Sequence, residues 1–174
     1  MEFVNEADAE TRVQRWRSPD LLDLSFLGLK VLPPLPTQLT ALQCCDNAFR
    51  VLGPVPANLT YLACDGNRRW HCGAPEPTPS RSLLQLAPLP KSLRILVCRG
   101  HSQLRELPPL PAGLQELYCD AHVRLPETPP PRLLRLFTGH TIRGSHWPTS
   151  VSTRHRADRA QCAAVLPALA LLYV

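Results

Sequence analysis

The sequence predicts a repeat solenoid, in which copies of one short motif stack into a single parallel β-sheet. A segment of sixteen residues, LPPLPTQLTALQCCDN at 32–47, recurs at 52–67, 86–101 and 107–122. Every copy keeps a leucine, a cysteine two residues later, and prolines shortly before them. Because no copy can bury its own leucines, neighbouring copies have to stack against one another.

The strand of each copy lies in the pattern L-x-x-L-x-C, whose alternate side chains face the core. A partial copy precedes the four full ones at 21–31, and a degraded copy with one extra residue follows at 125–141. The leucine column holds Leu22, Leu42, Leu62, Leu96, Leu117 and Leu136. The second column holds Leu24, Cys44, Cys64, Cys98, Cys119 and Thr138. We predict that both columns lie on the buried side of the sheet.

The residue three positions after each cysteine is polar in all four full copies. These residues are Asn47, Asn67, His101 and His122. A side chain here can hydrogen-bond backbone groups where the chain leaves the strand, and asparagine offers both a donor and an acceptor. We therefore predict that the histidines are turn residues and not catalytic ones.

The L-x-x-L-x-C-x-x-N core resembles a leucine-rich repeat, and the LPPLP half resembles the short bacterial LPxLP type. That type occurs in pathogen effectors delivered into host cells, including ubiquitin-ligase effectors, and similar arrays occur in large DNA viruses. The resemblance covers residues 18–143 and implies a curved horseshoe. Its parallel strands would form the concave face, and its extended, polyproline-like segments would form the convex side, where proline costs no ladder hydrogen bond.

The N-terminal residues 1–17 predict a short helical cap. Asn5 precedes an acidic first turn, which suits a helix N-terminus. Such a cap covers the core that the first repeat would otherwise expose. Its apolar residues are Phe3, Val4, Val13 and Trp16.

The remaining chain divides into the solenoid at 18–143, with an insertion loop at 70–85, and a tail at 144–174. We expect the tail to be a basic linker followed by an apolar C-terminal cap. Arg154 and Arg156 stand where a further copy would need its leucine and cysteine.

Alternation also predicts which residues face the open, concave side of the sheet. The candidate partner-binding residues are Tyr61, Asp65, Ile95, Val97, Arg99, Glu116, Tyr118, Asp120, Arg135 and Phe137. The same rule adds Leu21, Asp23, Ser25, Ala41, Gln43, Cys45, Ala63 and Gly139. Aromatic and aliphatic side chains bordered by both signs of charge are typical of protein-binding surfaces. The alternative is that the aromatic residues only stabilise the sheet by cross-strand pairing.

The cysteines are predicted to pack and not to react. Structural zinc sites favour C-x2-4-C pairs, which this chain lacks. The ligands of such a site would be Cys64, His71, Cys72 and Cys98. In ubiquitin-ligase effectors the reactive cysteine lies in a separate C-terminal domain, which needs far more residues than follow the last copy here. Because no motif joins a cysteine to a general base, we expect no enzyme, no metal and no cofactor.

Composition also bounds the compartment and the partners. The acidic N-terminus lacks the apolar run of a signal peptide, and the apolar end at 162–174 is shorter than the ~20 residues of a membrane span. An odd number of cysteines, seven, favours a reducing compartment. We expect a cytoplasmic monomer without a membrane span; for an effector, that cytoplasm is the host cell's.

The expected function is a non-catalytic protein–protein interaction module, of a pathogen or a virus, that engages a host protein. Two alternatives remain open within this fold: the substrate-recognition part of a ubiquitin-ligase-type effector with a catalytic partner in trans, and a degenerate repeat protein without specific function. The net charge of +5, concentrated at 154–159, adds nucleic-acid binding through the basic tail as a further alternative.

Overall fold

A computed structural model describes residues 6–66, 83–138 and 152–153 of the chain. Within these residues the chain forms one helix, α1 (Glu6–Arg15), followed by short strands. The strands are β1 (Leu22–Asp23), β2 (Ala41–Gln43), β3 (Val51–Leu52), β4 (Tyr61–Ala63), β5 (Gln85–Leu86), β6 (Ile95–Cys98), β7 (Glu116–Cys119), β8 (Arg135–Thr138) and β9 (Ser152–Thr153). Each predicted copy thus supplies one strand at the expected position.

Seven of the described strands form one parallel sheet, in the order β1-β2-β4-β6-β7-β8-β9. Each leucine of the predicted column pairs with the leucine of the next copy, from Leu22 with Leu42 to Leu117 with Leu136. All six are at most 3% exposed. The predicted solenoid and its register are confirmed, also across the long step between β4 and β6.

The second predicted column lies in the same core. Leu24 and the four cysteines of the column are buried, and half-buried Thr138 pairs with Cys119 at the position expected for it. A small thiol packs well in this narrow layer, because it behaves as an apolar group.

The N-terminal helix covers the start of the stack, as predicted. Ala9 is fully buried, and Val13 and Trp16 pack against the core. Arg12 Nη1 donates a hydrogen bond to the Asp23 carbonyl at 3.0 Å, which ties α1 to β1. The other predicted cap residues, Phe3 and Val4, and the predicted cap Asn5 lie outside the described residues.

The proline segments end in a turn that is the same in five copies. The carbonyl of a proline accepts a hydrogen bond at 3.0–3.1 Å from the amide of the leucine three residues later. The pairs are Pro36–Leu39, Pro56–Leu59, Pro90–Leu93, Pro111–Leu114 and Pro130–Leu133. Since each of these leucines is buried, the turn fixes the entry of every strand into the core.

A second ladder precedes the prolines, and the sequence did not predict it. Strands β3 and β5 pair in parallel, and Glu106 bridges Arg124 in the same way. We expected no ladder hydrogen bonds on the convex side. The expectation was wrong for the residues just before the prolines, because they keep the N–H group that proline lacks; the Ala87 amide, for example, donates to the Leu52 carbonyl at 2.9 Å.

The exit turns follow the prediction for Asn47. Its Oδ1 accepts hydrogen bonds from the amides of Leu27 at 3.2 Å and Leu29 at 3.0 Å. Its Nδ2 donates to the carbonyls of Leu24 at 2.8 Å and Cys44 at 3.1 Å. One buried amide therefore satisfies backbone groups of two neighbouring copies.

Two of the other predicted turn residues are also described. His101 is buried in the same position, while exposed His122 has only its Nε2 near a backbone oxygen, the His101 carbonyl at 3.0 Å. Asn67 lies outside the described residues.

Strand β9 lies in the segment that we expected to be a linker. Ser152 pairs with Arg135, and Thr153 pairs with Leu136. The structure thus differs from the prediction in two ways: the sheet continues into this segment, and Thr153 rather than Arg154 takes the leucine position. Parallel pairing needs only backbone groups, so a strand can form here without a leucine. The boundaries at 143 and 144 otherwise stay a prediction.

Candidate functional site

The open face of the sheet is the side opposite the leucine column, and strand alternation sets its residues. In β6, half-buried Ile95 and Val97 alternate with buried Leu96 and Cys98. Strand β7 repeats this pattern with Glu116 and Tyr118 on the open face. In register, the first row across the sheet is Tyr61, Ile95, Glu116 and Arg135, and the second is Ala63, Val97, Tyr118 and Phe137.

The most organised part of this face is an aromatic–arginine cluster, formed by Arg99, Tyr118 and Phe137. The two rings are cross-strand partners, with centroids 6.0 Å apart and planes at 34°. Arg99 Cζ lies 5.9 Å from the Tyr118 centroid and 5.6 Å from the Phe137 centroid. These distances allow cation–π attraction to both rings.

Asp65 holds the arginine of the cluster from the other side. Its Oδ1 accepts a hydrogen bond from the Arg99 amide at 2.6 Å, and its Oδ2 accepts one from Arg99 Nη2 at 3.2 Å. The side chains of Arg99 and Asp65 are only 16% and 22% exposed. Burial raises the pKa of Asp65, and the Arg99 charge acts in the opposite direction. The guanidinium thus has the Asp65 carboxylate on one side and the two aromatic rings on the other.

A second ion pair lies at the edge of the cluster. Glu116 accepts a hydrogen bond from the Tyr118 hydroxyl at 2.8 Å and one from Arg135 Nη1 at 3.1 Å. Burial, followed by the Glu116 carboxylate, raises the pKa of Tyr118 to about 12, so the phenol stays neutral. Because the Arg135 side chain is 67% exposed, this pair contributes little to stability.

Some residues predicted to lie on the open face are instead buried or hydrogen-bond the backbone of a neighbouring copy. The Asp120 carboxylate accepts a hydrogen bond from the His101 amide at 3.0 Å, as Asp65 does from the Arg99 amide. The face positions with the smallest side chains, Ser25, Ala41 and Ala63, are buried rather than open, because a small side chain between neighbouring strands leaves little area exposed. Gly139 lies outside the described residues, as does the basic tail at 154–159.

Metal ligation and thiol reactivity are the two kinds of chemistry that the cysteines of the sequence raise. No group of three or more His, Cys, Asp or Glu side chains among them could hold a metal ion. His71 and Cys72 of the zinc hypothesis lie outside them. Burial raises the pKa of Cys45 and Cys119 to about 12, and it raises the pKa values of Cys44, Cys64 and Cys98 well above their usual range. Thiols in this state are poor nucleophiles.

A groove of about 580 Å³ lies on the proline side, between the first two full copies. Its lining residues come from Val31 to Thr37 and from Gly53 to Asn58, and none of them titrates. This groove therefore offers no titratable acid or base.

The fold and its register define a leucine-rich-repeat solenoid. Among solved structures, the chain is similar to the leucine-rich-repeat domain of a Shigella effector, with 26% identity, a TM-score of 0.62, and coverage of 80% of this chain and 59% of that one. It is also similar in fold to YopM, a leucine-rich effector protein from Yersinia pestis, with 19% identity, a TM-score of 0.51, and coverage of 88% and 54%. The chain thus spans less than two thirds of either neighbour.

No protein-family model and no curated protein matches the chain. In the part that the structure describes, no helix is long and apolar enough to cross a membrane.

Proposed function

We propose that the chain is a protein-interaction module of the bacterial effector kind, which binds a partner protein on the open face of its sheet. The observation that carries this proposal is the aromatic–arginine cluster. Tyrosine and arginine are the side chains that most often dominate binding energy at protein interfaces. Here Arg99 is held between a carboxylate and two rings, so little side-chain freedom remains to be lost on binding.

The same proposal includes the finer points of the sequence interpretation. The repeats belong to the short LPxLP type, the module acts as a monomer in the cytoplasm of a host cell, and it is not an enzyme. The raised pKa values of the described cysteines support the last point. Similarity to the Shigella effector domain supports an effector role.

The test removes the two aromatic rings of the cluster by mutation and keeps the fold intact. The double variant Tyr118→Ala with Phe137→Ala should lose the proteins that the wild-type chain recovers from a host-cell lysate, with at least a tenfold lower yield. The matched control is Val31→Ser with Val51→Ser, which changes two exposed apolar residues outside the main sheet. Circular dichroism and thermal unfolding establish that all three proteins are folded. Equal recovery by both variants would contradict the proposal.

A further inference from the structure

His101 contacts the chain on both sides of residues 67–82, at Cys64 before them and at Leu83, the first described residue after them. Its Nε2 lies 2.5 Å from the Cys64 carbonyl, and its Nδ1 lies 3.2 Å from the Leu83 amide nitrogen. An amide N–H can only donate, so Nδ1 must offer its lone pair. Nε2 must then carry the proton that the Cys64 carbonyl accepts. Both bonds therefore require a neutral imidazole in one defined tautomer.

Asn47 performs the same task earlier in the chain. It donates to the Leu24 carbonyl at 2.8 Å and accepts from the Leu29 amide at 3.0 Å. Leu24 and Cys64 share one repeat position, and so do Leu29 and Leu83. The two exit turns thus share two equivalent hydrogen bonds, but the asparagine amide does not titrate and the imidazole does.

We propose that His101 is a pH-sensitive clamp, which releases the Leu83 amide in mildly acidic solution. A second proton on Nδ1 would face the Leu83 N–H group, so that two donors meet at 3.2 Å in a buried site. His101 is only 5% exposed, and a Cβ added to Gly66 would lie 2.6 Å from the ring, so the imidazole has little room to turn away.

Burial decides the direction of the effect, against the titratable and charged groups around the clamp. They come from the ends of β4, β6 and β7 and comprise Asp65, Arg99, Asp120 and His122, together with the Cys64 thiol. Burial lowers the pKa of His101, while the Cys64 carbonyl, Asp65 and Asp120 act against this. Because the net shift is downward, the opened form binds more protons below a pH of about 6.5, and the clamp weakens as the pH falls.

Amide hydrogen exchange of the full chain tests the clamp at one residue. The protection factor of Leu83, divided by that of Leu29 in the same molecule, should be constant above pH 7. It should fall several-fold, and at most about tenfold, by pH 5.5, since a full lowering of the His101 pKa gives a tenfold effect one unit below 6.5. A ratio that stays constant from pH 7.5 to 5.5 would overturn the proposal.

The variant His101→Asn is the matched control, because Asn47 shows that asparagine makes both bonds in this position. It should abolish the pH dependence of the ratio while Asp65 and Asp120 stay in place. The reverse swap, Asn47→His, should give the Leu29 amide a pH dependence of its own. If the dependence survives in His101→Asn, a group other than His101 causes it and the proposal is wrong.

Discussion

Replacing Asn47 by alanine should destabilise the solenoid strongly, although the change removes only one amide group. The side chain is 5% exposed and bonds the amides of Leu27 and Leu29 and the carbonyls of Leu24 and Cys44. A buried backbone group left unpaired costs roughly 1–3 kcal/mol. Two amides and two carbonyls at the low end of that range give a loss of about 4 kcal/mol. This is a large part of the roughly 5–15 kcal/mol that holds a domain together.

Urea unfolding measures this loss. With a slope of about 2 kcal/mol per molar, the midpoint should fall by roughly 2 M at an unchanged slope. Asn58→Ala is the matched control, because the Asn58 side chain is exposed and makes a single hydrogen bond, to the Thr37 carbonyl at 3.1 Å. It should cost no more than about 0.5 kcal/mol. If Asn47→Ala loses less than ~1 kcal/mol relative to this control, water replaces the amide and the reasoning is refuted.

Two further predictions concern the packing at the strand ends. Alkylation of the native protein at pH 8 should label Cys45 at least ~10-fold faster than buried Cys44, because labelling Cys44 needs local opening of the fold. Peptide mass spectrometry measures the two labelling rates. Faster labelling of Cys44 would mean that the register is wrong. Gly66→Ala should lower the free energy of unfolding in urea by about 1–3 kcal/mol, since the new Cβ would lie 2.6 Å from the His101 ring. The control Gly53→Ala places its Cβ where no atom lies within 4 Å, so it should be neutral or slightly stabilising. Equal stability of the two variants would contradict this account of the His101 site.

The leucine register was predictable because two constraints act on it together. Alternation in the strand decides which side chains are buried, and stacking aligns Leu62 with Leu96 whatever the length of chain between them. The ladder of β3 and β5 and the strand β9 were not predictable in this way. Both depend on backbone hydrogen bonds alone, and Ser152 and Thr153 carry no apolar pattern that would reveal their pairing.

The open face was predicted as a set of residues but not as an arrangement. Alternation names Arg99, Tyr118 and Phe137 without showing that the guanidinium lies over both rings. The structural role of Asp65 and Asp120 was also hidden. Their carboxylates accept backbone amides of neighbouring copies, and a single copy of the repeat gives no sign of this.

Asp65 belongs both to the open face and to the hydrogen bonds that join neighbouring copies, and this limits which side chains can be removed to test binding. Removing Arg99 would leave the Asp65 carboxylate, 22% exposed, without its ion-pair partner, so a loss of binding would be mixed with a loss of stability. Phe137 contributes ring contacts to Tyr118 and Arg99, so its removal changes the surface more than the turns. We infer that Arg99 has two tasks, since it holds the strand ends together with Asp65 and also belongs to the proposed binding surface, so the two rings are the part of the cluster whose removal tests binding alone.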